Sequence, residues 1–273
     1  MDNPELGVLS LVITPMADCS FGVTPARPLQ AALLRRIELV NPELSAELHD
    51  SAPKASSSEK PWTISTLLRN FQKAGTRLTA TAGEHYQARI TALNAYLIQA
   101  LQAAFDSSHP LGREPLILED IPFAIIAECC RWGSLKTYAS ILTRSRPICD
   151  IVLRFISPVS FRPQNKPPAL PEPYRCLLGY IQKWNAFSEL GMQTEPLLEY
   201  VSAHVTTEQT ELRQTGRNYG EYYQSGWVGR VKWTADGETP FLLRMVNALA
   251  DYSFYCGTGA KTTMGMGQTR RIE

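Results

Sequence analysis

Among the 273 residues there are only four histidines and six cysteines, and neither set shows a familiar metal spacing. Cys19, Cys129, Cys130, Cys149, Cys176 and Cys256 contain no C-x-x-C pair, and adjacent Cys129 and Cys130 cannot readily chelate one metal together. A zinc ribbon is not expected, nor is a disulfide framework in a chain this long. The six read as small buried hydrophobes. Charge is sparse, at 19% of residues, while 44% are hydrophobic, a balance that excludes a disordered chain. Long apolar runs are missing: Leu116 to Ile126 is broken by Glu119, Asp120 and Pro122, well short of the roughly 18 residues a membrane span needs. The acidic start, Met1 to Glu5, lacks the basic region of a signal peptide, so a cytoplasmic protein with no membrane partner is expected. Ser-His-Asp order, H-E-x-x-H and two-metal acidic spacing are absent as well. A nuclease built from this sequence would be metal-free.

What charge there is lies unevenly. Residues 1 to 50 hold seven acids and three bases, whereas residues 131 to 175 hold eight bases and two acids. A polyanion would meet the second stretch first.

The apolar pattern predicts β-α-β-β-α-β, written twice. In the first half, strands are expected at Leu6 to Thr14, Pro61 to Leu68, Thr76 to Thr81 and Leu116 to Ile126. Helices are expected from Pro28, with Leu29, Leu33, Leu34 and Ile37 on one face, and from about Thr91 to Phe105. A short helical turn covers Pro42 to Leu48, and Asp50 to Glu59 reads as a loop. In the second half, Ile148 to Ile156 is a strand, Tyr174 to Leu190 a helix, and Glu199 to Arg213 with Tyr222 to Thr234 a long hairpin. Pro240 opens a helix to about Tyr252, and Met266 to Ile272 is the last strand. The fold class is therefore α+β, with two tandem ferredoxin-like domains at 1–135 and 136–273.

Two features carry candidate chemistry. The first is the loop Gly257-Thr-Gly259-Ala-Lys261-Thr-Thr-Met-Gly265-Met-Gly267. It is no dinucleotide fingerprint, which needs a strand before it and a helix after it, and no P-loop, because Ala260 precedes Lys261. It can bring backbone close to a ligand and aim N–H groups at phosphates, with Lys261 as a point charge. On that reading Gly265→Asp lowers affinity for a phosphate-bearing ligand and leaves thermal stability nearly unchanged. The second feature is His49, which ends a helix and faces a loop holding Lys54 and Lys60. His85 lies in a strand-like run, His109 in a turn and His204 in the long hairpin. Metal-free RNA cleavage needs a base to free the 2′-OH, an acid to protonate the leaving oxygen and a cation to steady the phosphorane, and one histidine and one lysine can do much of that work.

At these residues the sequence resembles the CRISPR-associated endoribonucleases that process precursor CRISPR RNA, within the RAMP superfamily. The loop Gly257 to Gly267 is similar to that family's C-terminal signature. Asn41-Pro42-x-Leu44-x-x-x-Leu48-His49 resembles the segment that delivers its catalytic histidine, and Lys60-Pro61-Trp62-Thr63-Ile64-Ser65 resembles the strand after it. Phe155 to Phe161 looks like the element opening the second domain, with Val159 replacing a threonine, and Tyr252-Ser-Phe254-Tyr255 precedes the loop where members end a helix.

The resemblance implies tandem ferredoxin-like domains, repeat RNA as partner, no cofactor, and cleavage by 2′-OH attack to a 2′,3′-cyclic phosphate and a 5′-hydroxyl. It gives His49 the catalytic role and Lys60 the place of a catalytic lysine. Some members carry a catalytic tyrosine on the first helix; Leu34 stands there, so the acid partner falls to Lys60, Lys54 or Ser65, in that order. RNA binding would use Gly257, Gly259, Lys261, Gly265 and Gly267, with Arg144, Arg146, Arg154, Arg162, Lys166, Arg270 and Arg271 as basic candidates. The protein would be a monomer or a homodimer, inside or outside an effector complex. Two rivals stand beside this reading: a non-catalytic RNA-binding RAMP subunit, which needs no histidine at position 49, and a regulatory ferredoxin-like module, which leaves the glycine loop unexplained.

Overall fold

The computed structural model describes residues 3–22, 24–49, 59–68, 72–74, 77–161, 167–236 and 239–272. They form two compact units. The first comprises Asn3–Leu135 together with Thr263–Gly265, and the second Lys136–Thr262 together with Met266–Glu273.

In chain order the first unit contains β1 (Leu6–Pro15), β2 (Cys19–Gly22), α1 (Ala26–Glu38), α2 (Pro42–His49), β3 (Trp62–Ile64), β4 (Gln72–Ala74), β5 (Arg77–Ala80), β6 (Tyr86–Ala92), α3 (Ala95–Ala104), α4 (Pro110–Arg113), β7 (Leu116–Leu118), β8 (Ile121–Ile125) and β9 (Arg131–Lys136). The main sheet runs β3-β6-β1-β8-β7, with β9 also pairing β1. Taking β1, β3, β6 and β8 as the four strands of a βαββαβ unit, their order is second, third, first, fourth, which is the ferredoxin-like arrangement. Period-two burial fixes the register: Leu9, Leu11 and Ile13 point into the core while Ser10 and Val12 do not. Leu29, Ala32, Leu33 and Ile37 of α1 bury one helical face in the same core as Leu97, Ile98 and Leu101 of α3. Leu34, expected on that face, is only partly buried at its margin.

The second unit contains α5 (Tyr138–Arg144), β10 (Asp150–Val159), α6 (Pro173–Phe187), α7 (Thr194–His204), β11 (Val205–Asn218), β12 (Tyr223–Ala235), α8 (Pro240–Cys256) and β13 (Thr269–Arg271). Its sheet order, β11-β12-β10-β13, repeats the ferredoxin-like order of the first unit. Tyr138, Trp184 and Tyr252 pack ring against ring at its centre, with centroids 4.7 to 5.6 Å apart.

Several elements differ from expectation. Leu116 to Ile126 is a hairpin rather than one strand, because Glu119 and Asp120 adopt φ of 49° and 66° and make a two-residue turn. The stretch expected as helix from Thr91 begins as the strand β6, and α3 starts only after Asn94, whose side chain caps the Leu97 N–H. The expected strand at Thr76 to Thr81 pairs with β2 and β4 in a separate three-stranded sheet. Residues 199–204 continue a helix, so His204 ends α7 and bonds Asp236 instead of lying in the hairpin. His85 precedes β6, and α8 runs four residues past Tyr252. The cysteines are free as expected, yet only Cys176 and Cys256 are buried, and Cys149 is exposed. No helix among the described residues is long and apolar enough to cross a membrane.

Candidate functional site

His49 is held by a short, well-capped helix. The Asn41 side chain accepts from the Leu44 N–H at 3.0 Å, and Pro42 takes the first helical position, where a missing N–H costs nothing. Leu44, Ser45 and Leu48 are the buried residues of α2, and Ser45 Oγ donates to the Leu34 carbonyl at 3.0 Å. One residue beyond Leu48 the side chain turns off that face, so His49 is exposed. The last turn of a helix leaves carbonyls without intrahelical donors. Lys60 Nζ donates to one of them, Glu47 O, at 3.2 Å. The structure thus places Lys60 against the helical turn that carries His49. Lys54 lies outside the described residues. Ser65 is unsuited to donate a proton: it is 2% exposed, its Oγ accepts from the Arg89 N–H at 2.8 Å, and it donates to the Thr66 carbonyl at 2.8 Å.

The glycine loop is built differently from the expected phosphate cradle. Six of its N–H groups already donate to protein carbonyls: Gly257 to Ser253, Thr258 to Gly267, Ala260 to Ser160, Gly265 to Ile64, Met266 to Lys261 and Gly267 to Pro158. Its glycines answer first to their own backbone. Gly259 and Gly267 have φ of 73° and 70°, and a Cβ there would lie 2.4 Å from the Ser160 carbonyl oxygen and 2.3 Å from that of Thr258. Gly265, with φ of 88°, lies in the first unit, where a Cβ would meet the Ala26 Cβ at 2.9 Å. A Gly265→Asp change must therefore disturb packing as well as charge, contrary to the expectation of near-constant stability. Thr258 Oγ1 pins the loop from below, bonding the Tyr180 hydroxyl at 2.5 Å and Thr269 Oγ1 at 2.6 Å. Burial pushes the Tyr180 hydroxyl well above the usual phenol range, so it stays protonated.

Lys261 is the loop's cation, at φ of 61° and with Nζ 5.0 Å from the centre of the Tyr222 ring. Tyr222 stacks in turn on Tyr219 at 5.1 Å. The ring orients the ammonium without consuming its N–H donors. If Lys261 meets one RNA phosphate, Lys261→Ala is expected to lower the slope of log affinity against log salt by about 0.7 for a single strand or 0.9 for a duplex. A salt titration followed by fluorescence anisotropy checks this, and an unchanged slope places Lys261 off the RNA.

The basic candidates separate. Arg154 on β10 pairs directly with Arg270 on β13 and with Arg230 on β12, and all three are exposed. Arg230 went unnoticed in the sequence; the signal, a hairpin strand in register with Arg154, requires the pairing to be known. Glu211 of β11 stands opposite Arg230 at the other end of the row, so three cations share one carboxylate and the row keeps a positive excess that a phosphate backbone could meet. Beside it is a groove of about 620 Å³ lined by Arg154, Ile156, Glu211, Arg213 and Gly229. Arg144 ends α5 and Arg146 follows it, both exposed and neither in the row. Arg271 turns inward to Asp251 and Asn247. Arg162 and Lys166 lie outside the described residues. Among the described residues no three His, Cys, Asp or Glu side chains gather to hold a metal.

The chain thus combines two ferredoxin-like units with a glycine loop behind the last long helix and an exposed histidine ending α2. Residues 153–269 match the family model of the CRISPR-associated endoribonuclease Cas6. Among solved structures, a Cas6 product complex has a TM-score of 0.77 at 20% identity, covering 98% of this chain and 100% of that one. Thermus thermophilus Cas6 gives 0.68 at 18%, covering 100% of both chains, and a RAMP protein binding different RNA substrates gives 0.63 at 16%, covering 98% and 100%. None of the curated proteins matches. The family model thus matches largely within the second unit, and the solved structures share the fold over nearly the whole chain.

Proposed function

We propose that this protein is a metal-independent endoribonuclease that cuts precursor CRISPR RNA within its repeats. The observation that carries the reading is the seating of Lys60 on the Glu47 carbonyl, which sets a cation beside the helical turn bearing the exposed His49. In the reaction, His49 takes the proton from the ribose 2′-OH, which attacks the adjacent phosphorus. The P–O5′ bond breaks, giving a 2′,3′-cyclic phosphate and a 5′-hydroxyl. Lys60 faces the charge that builds on the phosphorane oxygens and is the nearest candidate to protonate the departing oxygen. Repeat RNA is the partner, gripped through the glycine loop, Lys261 and the Arg230–Arg154–Arg270 row. The cytoplasm, where such transcripts arise, is the proposed location.

Cleavage of repeat RNA in EDTA is the test, run beside a substrate with 2′-deoxyribose at the scissile position. The parent RNA should be cut without metal; the deoxy substrate should bind, resist cutting and inhibit competitively, because its nucleophile is gone. Cutting of the deoxy substrate on adding Mg²⁺ would show that water and a metal do the chemistry. Binding without any cutting would make the protein a non-catalytic RAMP subunit.

A further inference from the structure

Glycine loops that hold phosphates usually precede a helix, whose N-terminal half-charge attracts anions. Here the loop follows one. α8 ends at Cys256 and Gly257 opens the loop, so the helix turns its negative end toward any phosphate the loop receives. Aligned peptide dipoles place about half a negative charge at that end. Unopposed, it would repel RNA.

One side chain sits against it. Lys183 on α6 is 7% exposed, and its Nζ donates to the Cys256 carbonyl at 2.8 Å and to Thr262 Oγ1 at 3.3 Å. Both partners are neutral oxygens. Burying an ammonium is unfavourable unless its surroundings repay the lost hydration, and the last carbonyl of a long helix is one of the few neutral groups that does so. Lys183 lies between the buried Tyr180 and Trp184, where an apolar residue would pack without that cost.

We propose that Lys183 is a positioning residue for RNA binding, whose buried charge outweighs the negative end of α8 and makes the base of the glycine loop attractive to phosphate. One full positive charge against about half a negative one leaves about half a positive charge, acting through protein rather than water. Its bond to Thr262 also fixes the residue after Lys261, and so the direction in which Lys261 is presented. This inference rests on the reading of the loop as an RNA contact.

The test measures binding of two labelled RNAs, a mixed-sequence single strand and a hairpin, over a series of KCl concentrations. Parent protein is compared with Lys183→Met, Lys183→Gln and Lys261→Ala, with the thermal midpoint of each recorded. Both Lys183 variants should bind about tenfold more weakly at every salt concentration. Their salt slopes should match the parent's, because a buried charge meets no phosphate and releases no counterion. Lys261→Ala should lower the slope. If Lys183→Gln binds like the parent, a hydrogen bond suffices and the electrostatic role is overturned; should Lys183→Met fail to fold, Lys183→Gln still decides. Parent-like binding by both variants overturns this inference while the RNA reading stands. A parent that binds neither RNA overturns that reading and this inference with it.

Discussion

Replacing His49 with alanine is expected to slow single-turnover cleavage by about 10²- to 10⁴-fold, the usual cost of losing a positioned acid or base. RNA affinity should hold, since a neutral imidazole contributes little to phosphate neutralisation. The fold should hold as well, because the side chain is exposed at the end of α2 and Leu44 and Leu48 keep the helix in place. Lys60→Ala adds a complication that the geometry exposes: it removes a charge and also frees the Glu47 carbonyl in the last turn of α2. Lys60→Arg separates the two roles, because arginine can still reach a helix carbonyl but gives up no proton near neutral pH. Rescue of the rate by arginine would restrict Lys60 to positioning and charge. Failure of arginine to rescue, with the thermal midpoint intact, would support lysine as the acid. Parent-like rates in His49→Ala would remove histidine from the mechanism.

The second large effect belongs to Gly267. Alanine there must take up a φ of 70° with its Cβ 2.3 Å from the Thr258 carbonyl oxygen, an oxygen that is backbone and cannot swing aside. The loop must move, breaking the Thr258-to-Gly267 and Gly267-to-Pro158 hydrogen bonds that close it. A loss of about 2 to 4 kcal/mol is expected, from left-handed strain of about 1 kcal/mol and two buried bonds of about 1 kcal/mol each. Thermal unfolding should show a lowered midpoint, and RNA binding should fall with it. A variant with parent-like stability and no RNA binding would restore the loop to a pure ligand contact.

Much of this molecule was legible in its sequence, and the gaps have physical reasons. β1, α1, β10 and α8 announce themselves by long apolar periodicity. β6 does not, because Ala88 and Ala92 alternate as its inward residues with Tyr86 and Ile90, and alanine suits a helix equally well. The C-terminal half of α7 resembles a strand because Val201 is followed, after Ser202, Ala203 and His204, by the β-branched run Val205 to Thr207. Glu119 and Asp120 fall inside the single strand expected over Leu116 to Ile126, whereas they form the turn between two strands, because the apolar run on either side hides the reversal. At the candidate site, motif order singled out His49 and Lys60, and the Lys60 contact with the Glu47 carbonyl is what the fold adds. What no one-dimensional pattern contained was the use of the loop's N–H groups by distant carbonyls, the burial of Lys183, or the alignment of Arg154 with Arg230 and Arg270.

The membership of Thr263–Gly265 in the first unit has a consequence for how the chain is made. The carbonyl of Ile64 waits for a donor, Gly265, that leaves the ribosome 201 residues later. During synthesis the first unit can pair β1 with β6 and bury α1, yet that edge of β3 stays open until residue 265 has emerged. A fragment ending at residue 135 would keep the histidine and still be an unfinished object. Cutting such a protein at its apparent domain border yields two incomplete parts.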